Sequence, residues 1–325
     1  MRTYLRAFSA ILGLCLFGTG CLVAHPATEG SFERTLNVSG QVDLDVSTGS
    51  GNIDVRTGGA STVRVRGLIR ARDGFGASAA EKVRYLETNP PIVQTGNVIK
   101  IGRIDNREYS RNVSIDYELE VPQQTRLKAR SGSGNVTAVG LNGTIELNSG
   151  SGNVRSSEVG GEVRAQTGSG NIEIDSVRGS LQASTGSGNI RAQSIGGGLR
   201  ARSGSGDLHA EQSAPGDVDL ETGSGNIEAA GIQGGLHAQT GSGRIDIGGE
   251  PSGGWSVQAG SGNVTIRLKP DVAFDLYAHT SSGRVRSDHP VTVTGIVSPK
   301  ELRGKVRGGG PLIEAKTGSG DIRVQ

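Results

Sequence analysis

The most regular polar feature of this 325-residue chain is a short motif that recurs at nearly fixed intervals. The tetrapeptide Gly-Ser-Gly-Asn, or a near copy, starts at 49, 132, 150, 168, 186, 204, 223, 241, 260 and 318. Its fourth residue becomes Asp at Asp207 and Asp321 and Arg at Arg244. Gly-rich turns bind calcium when Asp recurs in them, because a hard cation needs several oxygen ligands. Asp207 and Asp321 are isolated, so no calcium site is expected. A phosphate cradle needs a helix N-terminus or a Lys after the Gly-rich loop, and here a strand pattern follows instead. The five His are His25, His209, His237, His279 and His289. The repeat register puts His209 and His237 on opposite sheets, so they cannot share a metal. The many Ser fall in turns without a base in reach, which a nucleophile requires. Glycoside cleavage needs carboxylates at a set separation, and sugar binding needs aromatic platforms. Trp255, Phe274 and Tyr277 are the one aromatic group that could contact a sugar; the competing reading is an apolar plug where the coils widen. No catalytic residue, cofactor or metal site is expected.

The elements that carry these residues follow from the period. From 132 to 260 the steps are 18, 18, 18, 18, 19, 18 and 19 residues. Each copy alternates apolar and polar residues, as in Ile172-Glu173-Ile174, the pattern of a half-buried strand. A corner such as Val177-Arg178-Gly179 follows, then a second strand, Leu181-Gln182-Ala183. Aligned copies give columns of like residues: Val154, Ile172, Ile190 after the Asn, and Val163, Leu181, Leu199 in the second strand. Such columns are produced when successive coils stack in parallel. The reading is an all-β fold, a β-solenoid with two short strands per 18–19-residue coil. Glycine in the corner Val159-Gly160-Gly161 and its equivalents is expected to supply the left-handed backbone that a tight corner needs. A second column, Ala165, Ala183, Ala201, implies a thin section. That fits a chain with 54 Gly and only five Phe, five Tyr and one Trp. Outward columns alternate charge, Arg155-Glu173-Arg191 and Lys128-Glu146-Arg164, as cross-strand pairs do.

Residues 36–325 read as one solenoid domain. Residues 57–126 are an irregular α+β segment: a capping box at Ser78-Ala79-Ala80-Glu81 opens a short helix, a hairpin turns at Thr95-Gly96-Asn97, and Val113–Val121 alternates as a strand. Regular coils fill 127–283, with Ser281-Ser282-Gly283-Arg284 as a degenerate copy. An irregular stretch and the last coil fill 284–325. At the other end, Arg2 and Arg6 precede the 11-residue apolar run Ala7–Phe17. With the small residues after it, this reads as an export signal over 1–20. The ending Gly18-Thr19-Gly20-Cys21 resembles a lipobox, with Gly18 where Leu is usual, and points to lipid on Cys21. Cleavage after Ala24 or Ala27 is the alternative. Residues 21–35 are expected to form a tether. Without the signal, 32 basic residues face 32 acidic ones, which gives no sign of a nucleic-acid partner.

The Thr-Gly-Ser-Gly-Asn-Ile steps, the strand Tyr117-Glu118-Leu119-Glu120-Val121-Pro122 and the closing Lys316-Thr317-Gly318-Ser319-Gly320-Asp321-Ile322 resemble a bacterial family of exported β-solenoid domains. Its members are described as candidate adhesins with no assigned function, and the likeness spans residues 36–325. The resemblance implies an envelope protein whose lipidated Cys carries several acyl chains. With Leu22 after Cys21, and no Asp to retain it at the inner membrane, an outer-membrane lipoprotein is expected, with a periplasmic or secreted protein as the fallback. The expected function is a non-catalytic scaffold or adhesion surface, bound to the membrane through Cys21 and to a protein or glycan partner. The alternative is a carbohydrate-binding or carbohydrate-cleaving β-helix module.

Overall fold

The computed structural model describes residues 27–74, 76–104, 106–293 and 298–325. Each regular repeat closes one flattened coil. In Ile172–Val177 the alternation buries Ile172 and Ile174 and exposes Glu173 and Asp175. In Leu181–Thr185 it buries Leu181 and Ala183 and exposes Gln182. Successive coils pair in parallel: Ile172 lies between Val154 and Ile190, and Leu181 between Val163 and Leu199. The first strands of the coils join a 14-stranded sheet and the second strands a 15-stranded one. The fold is the expected β-solenoid, with its apolar core between the two sheets.

The turn sequence is explained by two ladders that run from coil to coil. In the outer ladder each Asn side chain accepts the backbone N–H of its counterpart on the next coil. Asn135 Oδ1 accepts from Asn153, Asn153 from Asn171, and Asn171 from Asn189, each at 2.9 Å. Asp207 serves equally well because only the oxygen is used, accepting from Asn226 at 2.7 Å. In the inner ladder a buried hydroxyl reaches the preceding coil. Thr167 donates to the Gly152 carbonyl at 2.8 Å, Thr185 to Gly170 at 2.9 Å and Ser203 to Gly188 at 2.8 Å. These Ser and Thr side chains are therefore buried and bonded.

Both ladders break at one joint. Arg244 has no acceptor for the Asn263 amide, and Ala259 stands where the other coils have Ser or Thr. Other contacts hold the same joint. Trp255 Nε1 donates to the Gly234 carbonyl at 3.0 Å, and Lys269 pairs with Glu250 at 2.6 Å. Combining Arg244→Asn with Ala259→Thr is expected to raise stability by about 1–2 kcal/mol, since each restored hydrogen bond contributes about 1 kcal/mol. The check is a higher urea midpoint at unchanged slope.

Glycine in the coils mostly answers close approach, not backbone handedness. A Cβ on Gly170 would sit 2.0 Å from the Gly152 carbonyl oxygen, and one on Gly179 would sit 2.5 Å from Gly161 O. The left-handed corner position is a different column: Gly140, Glu158, Ser176, Ser194 and Gly231, with φ of 79°, 57°, 56°, 54° and 69°. The expectation that Gly160-Gly161 and its equivalents supply the left-handed turn is corrected by this shift. The chain reverses one residue before the buried Val159, Val177 and Ile195 and tolerates Glu and Ser there.

The N-terminal end is capped by the irregular segment. Its helix, Ala79–Thr88, carries the predicted capping box and buries Val83 and Leu86. The hairpin Ile92–Thr95 with Val98–Ile101 extends the second sheet beside Val42–Thr48. The expected tether is a correction. Thr28–Asn37 is a ten-residue strand, antiparallel to Thr62–Ala71, which pairs in turn with Val113–Val121. Its inward Phe32 is the one well-buried side chain, so alternation was hard to read in the sequence. Phe32 packs edge-on against Tyr117 at 6.4 Å between ring centres. The Tyr117 hydroxyl is buried without a partner, and burial pushes its pKa up. An unfolded tyrosine ionises near pH ~10. Stability is therefore complete below that pH and falls as pH rises above it, because only the unfolded chain loses the proton. Tyr117→Phe is expected to stabilise by about 1 kcal/mol at neutral pH and to lessen this alkaline loss. Melting curves at pH 7 and 11 test both.

The C-terminal end departs from sequence order. The coil starting at Trp255 is followed in space by Leu312–Ser319 and Ile322–Val324, not by Phe274–Ser282. Phe274–Ser282 and Val285–Ser287 lie beyond that inserted coil. The coil read as the last one is thus inserted before its predecessor. The outer ladder shows the physical reason. Asn263 accepts from Asp321 at 2.9 Å, and Asp321 accepts from Arg284 at 2.8 Å. Arg284 has no acceptor of its own and so suits the terminal coil. Glu301–Val306 then runs antiparallel along Phe274–Ser282, and Val291–Val293 pairs with it. The stretch read as irregular therefore contributes a two-stranded sheet cap, Val291–Val293 with Glu301–Val306.

Candidate functional site

Two open grooves lie on the outer face of the second sheet. The larger, of 570 Å3, crosses the coils at the start of their second strands. Its floor exists because the corner residues Ser180, Gly198, Asp217, Gly235 and Gly254 are small or turned aside. Asp217 is pinned by accepting the Gly235 amide at 3.0 Å. The wall is the first outward column of the sheet, Gln182, Arg200, Asp219 and His237, set side by side by the parallel register. The next outward column places Arg202 beside Glu221.

These groups form one cluster. Arg200 Nε lies 2.8 Å from Asp219 Oδ2, and Arg202 Nη2 lies 3.2 Å from the same oxygen and 2.9 Å from Glu221 Oε1. Both guanidiniums approach from one flank, and His237 stands on the other. Asp219 Oδ1 is shielded from solvent and accepts no hydrogen bond. One ligand atom each of Asp219, Glu221 and His237 lies within 4.8 Å of the others. Pairing histidine with histidine does not reveal this group, because it holds one histidine and two carboxylates. The signal was present: aligning Val218 with Leu236 makes Asp219 and His237 neighbours. His209 does lie on the other sheet, its Nδ1 3.4 Å from Glu228 Oε2.

The smaller groove, of 400 Å3, is lined by Asp275, Leu276, Tyr277, Arg303, Gly304, Lys305 and Leu312. Tyr277 is half-buried, with Lys316 Nζ 5.5 Å from its ring centre. Trp255 and Phe274 are not beside it on the surface. Trp255 is 1% exposed in the inward column between Leu236 and Ile313, and Phe274 is fully buried. The aromatic trio is thus corrected to one surface ring. Strand alternation that turns Tyr277 outward turns Phe274 inward, and the Trp255 indole N–H is satisfied within the stack. Cys21 lies outside the described residues.

Elsewhere the faces carry separate ion pairs, some between neighbouring coils and some within one coil, as Arg164 with Glu162. Arg155 and Glu173 meet at 2.9 Å, each 55% exposed. Lys128 meets Glu146 at 3.0 Å. Exposed pairs of this kind contribute little, so Glu173→Gln is expected to change stability by less than about 1 kcal/mol. Equilibrium denaturation in low and high salt is the measurement.

The second half of the chain decides the family. Residues 162–325, just over half of the chain, match the Toastrack DUF4097 family. The chain belongs to this family. In Toastrack terms, the matched region holds the coils from Val163 onward, the inserted coil and the C-terminal cap. Solved structures similar to this Toastrack chain include a candidate lipid-binding protein from Parabacteroides distasonis, at 15% identity and a TM-score of 0.40, covering 90% of this chain and 96% of that one. A candidate adhesin from Bacteroides fragilis shares 13% identity at a TM-score of 0.34, over 91% and 97% of the two chains. A candidate cell adhesion protein from Clostridium sporogenes shares 9% at 0.22, over 91% and 99%. No curated protein matches the sequence. Among the described residues, no helix is long and apolar enough to cross a membrane.

Proposed function

We propose that this Toastrack chain is a non-catalytic scaffold that presents a binding surface at the cell envelope. The observation that carries this reading is the use of the polar groups. The turn hydroxyls that could serve as nucleophiles donate to carbonyls of the neighbouring coil, as Thr185 does to Gly170. The turn amides accept the backbone of the next coil, as Asn153 does. Much of the surface charge is committed to cross-coil pairs. Such a molecule spends its chemistry on stiffness and offers long faces to a partner.

The envelope location rests on the export signal over 1–20 and the lipobox-like ending at Cys21. Several acyl chains on Cys21 would anchor it stably, where one would not. The reading includes attachment to the outer membrane, with a periplasmic or secreted protein as the fallback. Cells fed a clickable fatty acid should label the wild type and not Cys21→Ser; equal labelling, or none, counts against the anchor.

The rival reading, a carbohydrate module, now rests on Tyr277 and its groove. A glycan array with the mature domain separates the two. The scaffold reading expects no capture that depends on Tyr277 and no release of oligosaccharides from polysaccharide substrates. Glycan capture lost in Tyr277→Ala, or turnover, would favour the rival.

A further inference from the structure

We propose that Asp219, Glu221 and His237 form a binding site for a divalent transition metal of the zinc class on the outer face of the second sheet. The parallel register creates it. Asp219 and Glu221 point outward from the same strand, two residues apart, and His237 lies opposite Asp219 on the next strand. One donor atom from each lies within 4.8 Å of the others. Zinc bonds such donors at about 2.0–2.2 Å, so small side-chain rotations are needed to bring all three onto one ion.

The flanking arginines act as supports. Arg200 and Arg202 hold Asp219 Oδ2, and Arg202 also holds Glu221 Oε1. Each carboxylate keeps its other oxygen. At Asp219 that oxygen is Oδ1, which is shielded from solvent and has no hydrogen-bond partner. A carboxylate oxygen in that condition is costly unless a donor or a cation meets it. The imidazole of His237 likewise has no hydrogen-bond partner among the described residues. Outer groups that fix ligating carboxylates in this way are a general feature of metal sites.

The donor set selects the ion. One imidazole nitrogen and two carboxylate oxygens suit zinc, cobalt, nickel or copper, whereas calcium needs six to eight oxygens. Three protein ligands leave at least one coordination position open. Asp219 and His237 border the 570 Å3 groove, so that position is within reach of a ligand in it. The two guanidiniums balance the two carboxylates. Affinity therefore comes from donor geometry more than from net charge, and moderate binding is expected.

The test is calorimetric titration of Zn2+ into the mature chain with Cys21 replaced by Ser, so that no thiol competes, with Ca2+ titrated in parallel. One Zn2+ site is expected, with no comparable heat from Ca2+. His237→Ala and Glu221→Gln should each weaken it by at least about tenfold. His209→Ala, which removes the histidine beside a single carboxylate on the other sheet, should leave it unchanged. Metal-free melting curves report whether each variant folds, and His237→Ala is the deciding variant because its imidazole makes no hydrogen bond among the described residues. Absence of Zn2+ binding in the parent chain, or equal binding by His237→Ala, overturns the proposal.

Discussion

Replacing Ile172 with Asp is expected to cost more than about 4 kcal/mol and to unfold the middle of the stack. Ile172 is 1% exposed and lies in the column between Val154 and Ile190. An Asp there would enter the core cluster that includes Leu181 and Ala183, a section built from aliphatic side chains. The carboxyl must either take up a proton or draw water into the coil, and both oppose folding. Coils in a stack contact mainly their neighbours, so the damage should be centred on residues 154–208 and spread outward. Hydrogen exchange should show those amides losing protection first, while the helix Ala79–Thr88 keeps its own. Equal costs for this change and Glu173→Gln would mean that inward and outward faces have been exchanged.

Gly170→Ala is expected to be nearly as severe, at about 3 kcal/mol or more, although it adds one methyl group. The new Cβ would lie 2.0 Å from Gly152 O and 2.5 Å from Gly152 C. Those atoms belong to the neighbouring coil's backbone, which cannot yield as a side chain would. Gly152 O is also the acceptor for Thr167, so moving it breaks the inner ladder. Gly49 is the control. It is exposed, and a Cβ there would meet nothing within 4 Å. Gly49→Ala should therefore change stability by less than about 0.5 kcal/mol. A similar loss at both positions would show that glycine acts through chain flexibility and not through close approach.

The contrast between these substitutions marks how far the sequence was legible. The columns Val154-Ile172-Ile190 and Val163-Leu181-Leu199 were readable because a fixed step of 18 residues, with like residues in register, has one economical explanation. The outward pairs Arg155–Glu173 and Lys128–Glu146 came with them, since alternation turns one face out wherever it turns the other in. The turn chemistry was less legible. Gly-Ser-Gly-Asn identifies a turn, but the conformation that demands glycine depends on what the next coil brings near it. The Asn and Thr ladders are likewise contacts between coils and leave no mark within one repeat.

Chain order at the C-terminal end was illegible for a further reason. Leu312–Ser319 has the same grammar as Phe274–Ser282, and either could follow Trp255. The choice rests on which turn supplies an acceptor, Asp321 or Arg284, and on the sheet cap that Glu301–Val306 forms. Thr28–Asn37 was missed because its outward face is polar and only Phe32 on its inward face is well buried. The Asp219–Glu221–His237 group lay hidden between two correct readings, the column register and the placement of the histidines. Trp255 continues the inward column of Val163, Leu181 and Leu199, so its buried indole cannot fill the surface role that an aromatic group suggests.

Coil-to-coil register supports the columns, the ladders and the cluster beside the groove, and paired cysteines on the outer face of the first sheet measure it directly. Thr265 lies opposite Arg323, and Arg323 opposite Arg286. In a chain with Cys15 and Cys21 replaced by Ser, Thr265→Cys with Arg323→Cys should form a disulfide under mild oxidation, because adjacent strands lie about 4.8 Å apart. Arg323→Cys with Arg286→Cys should do the same. Thr265→Cys with Arg286→Cys should stay reduced, since a whole coil separates them. Ready oxidation of this last pair, with the first two left free, would contradict the inserted coil and the stacking order built on it.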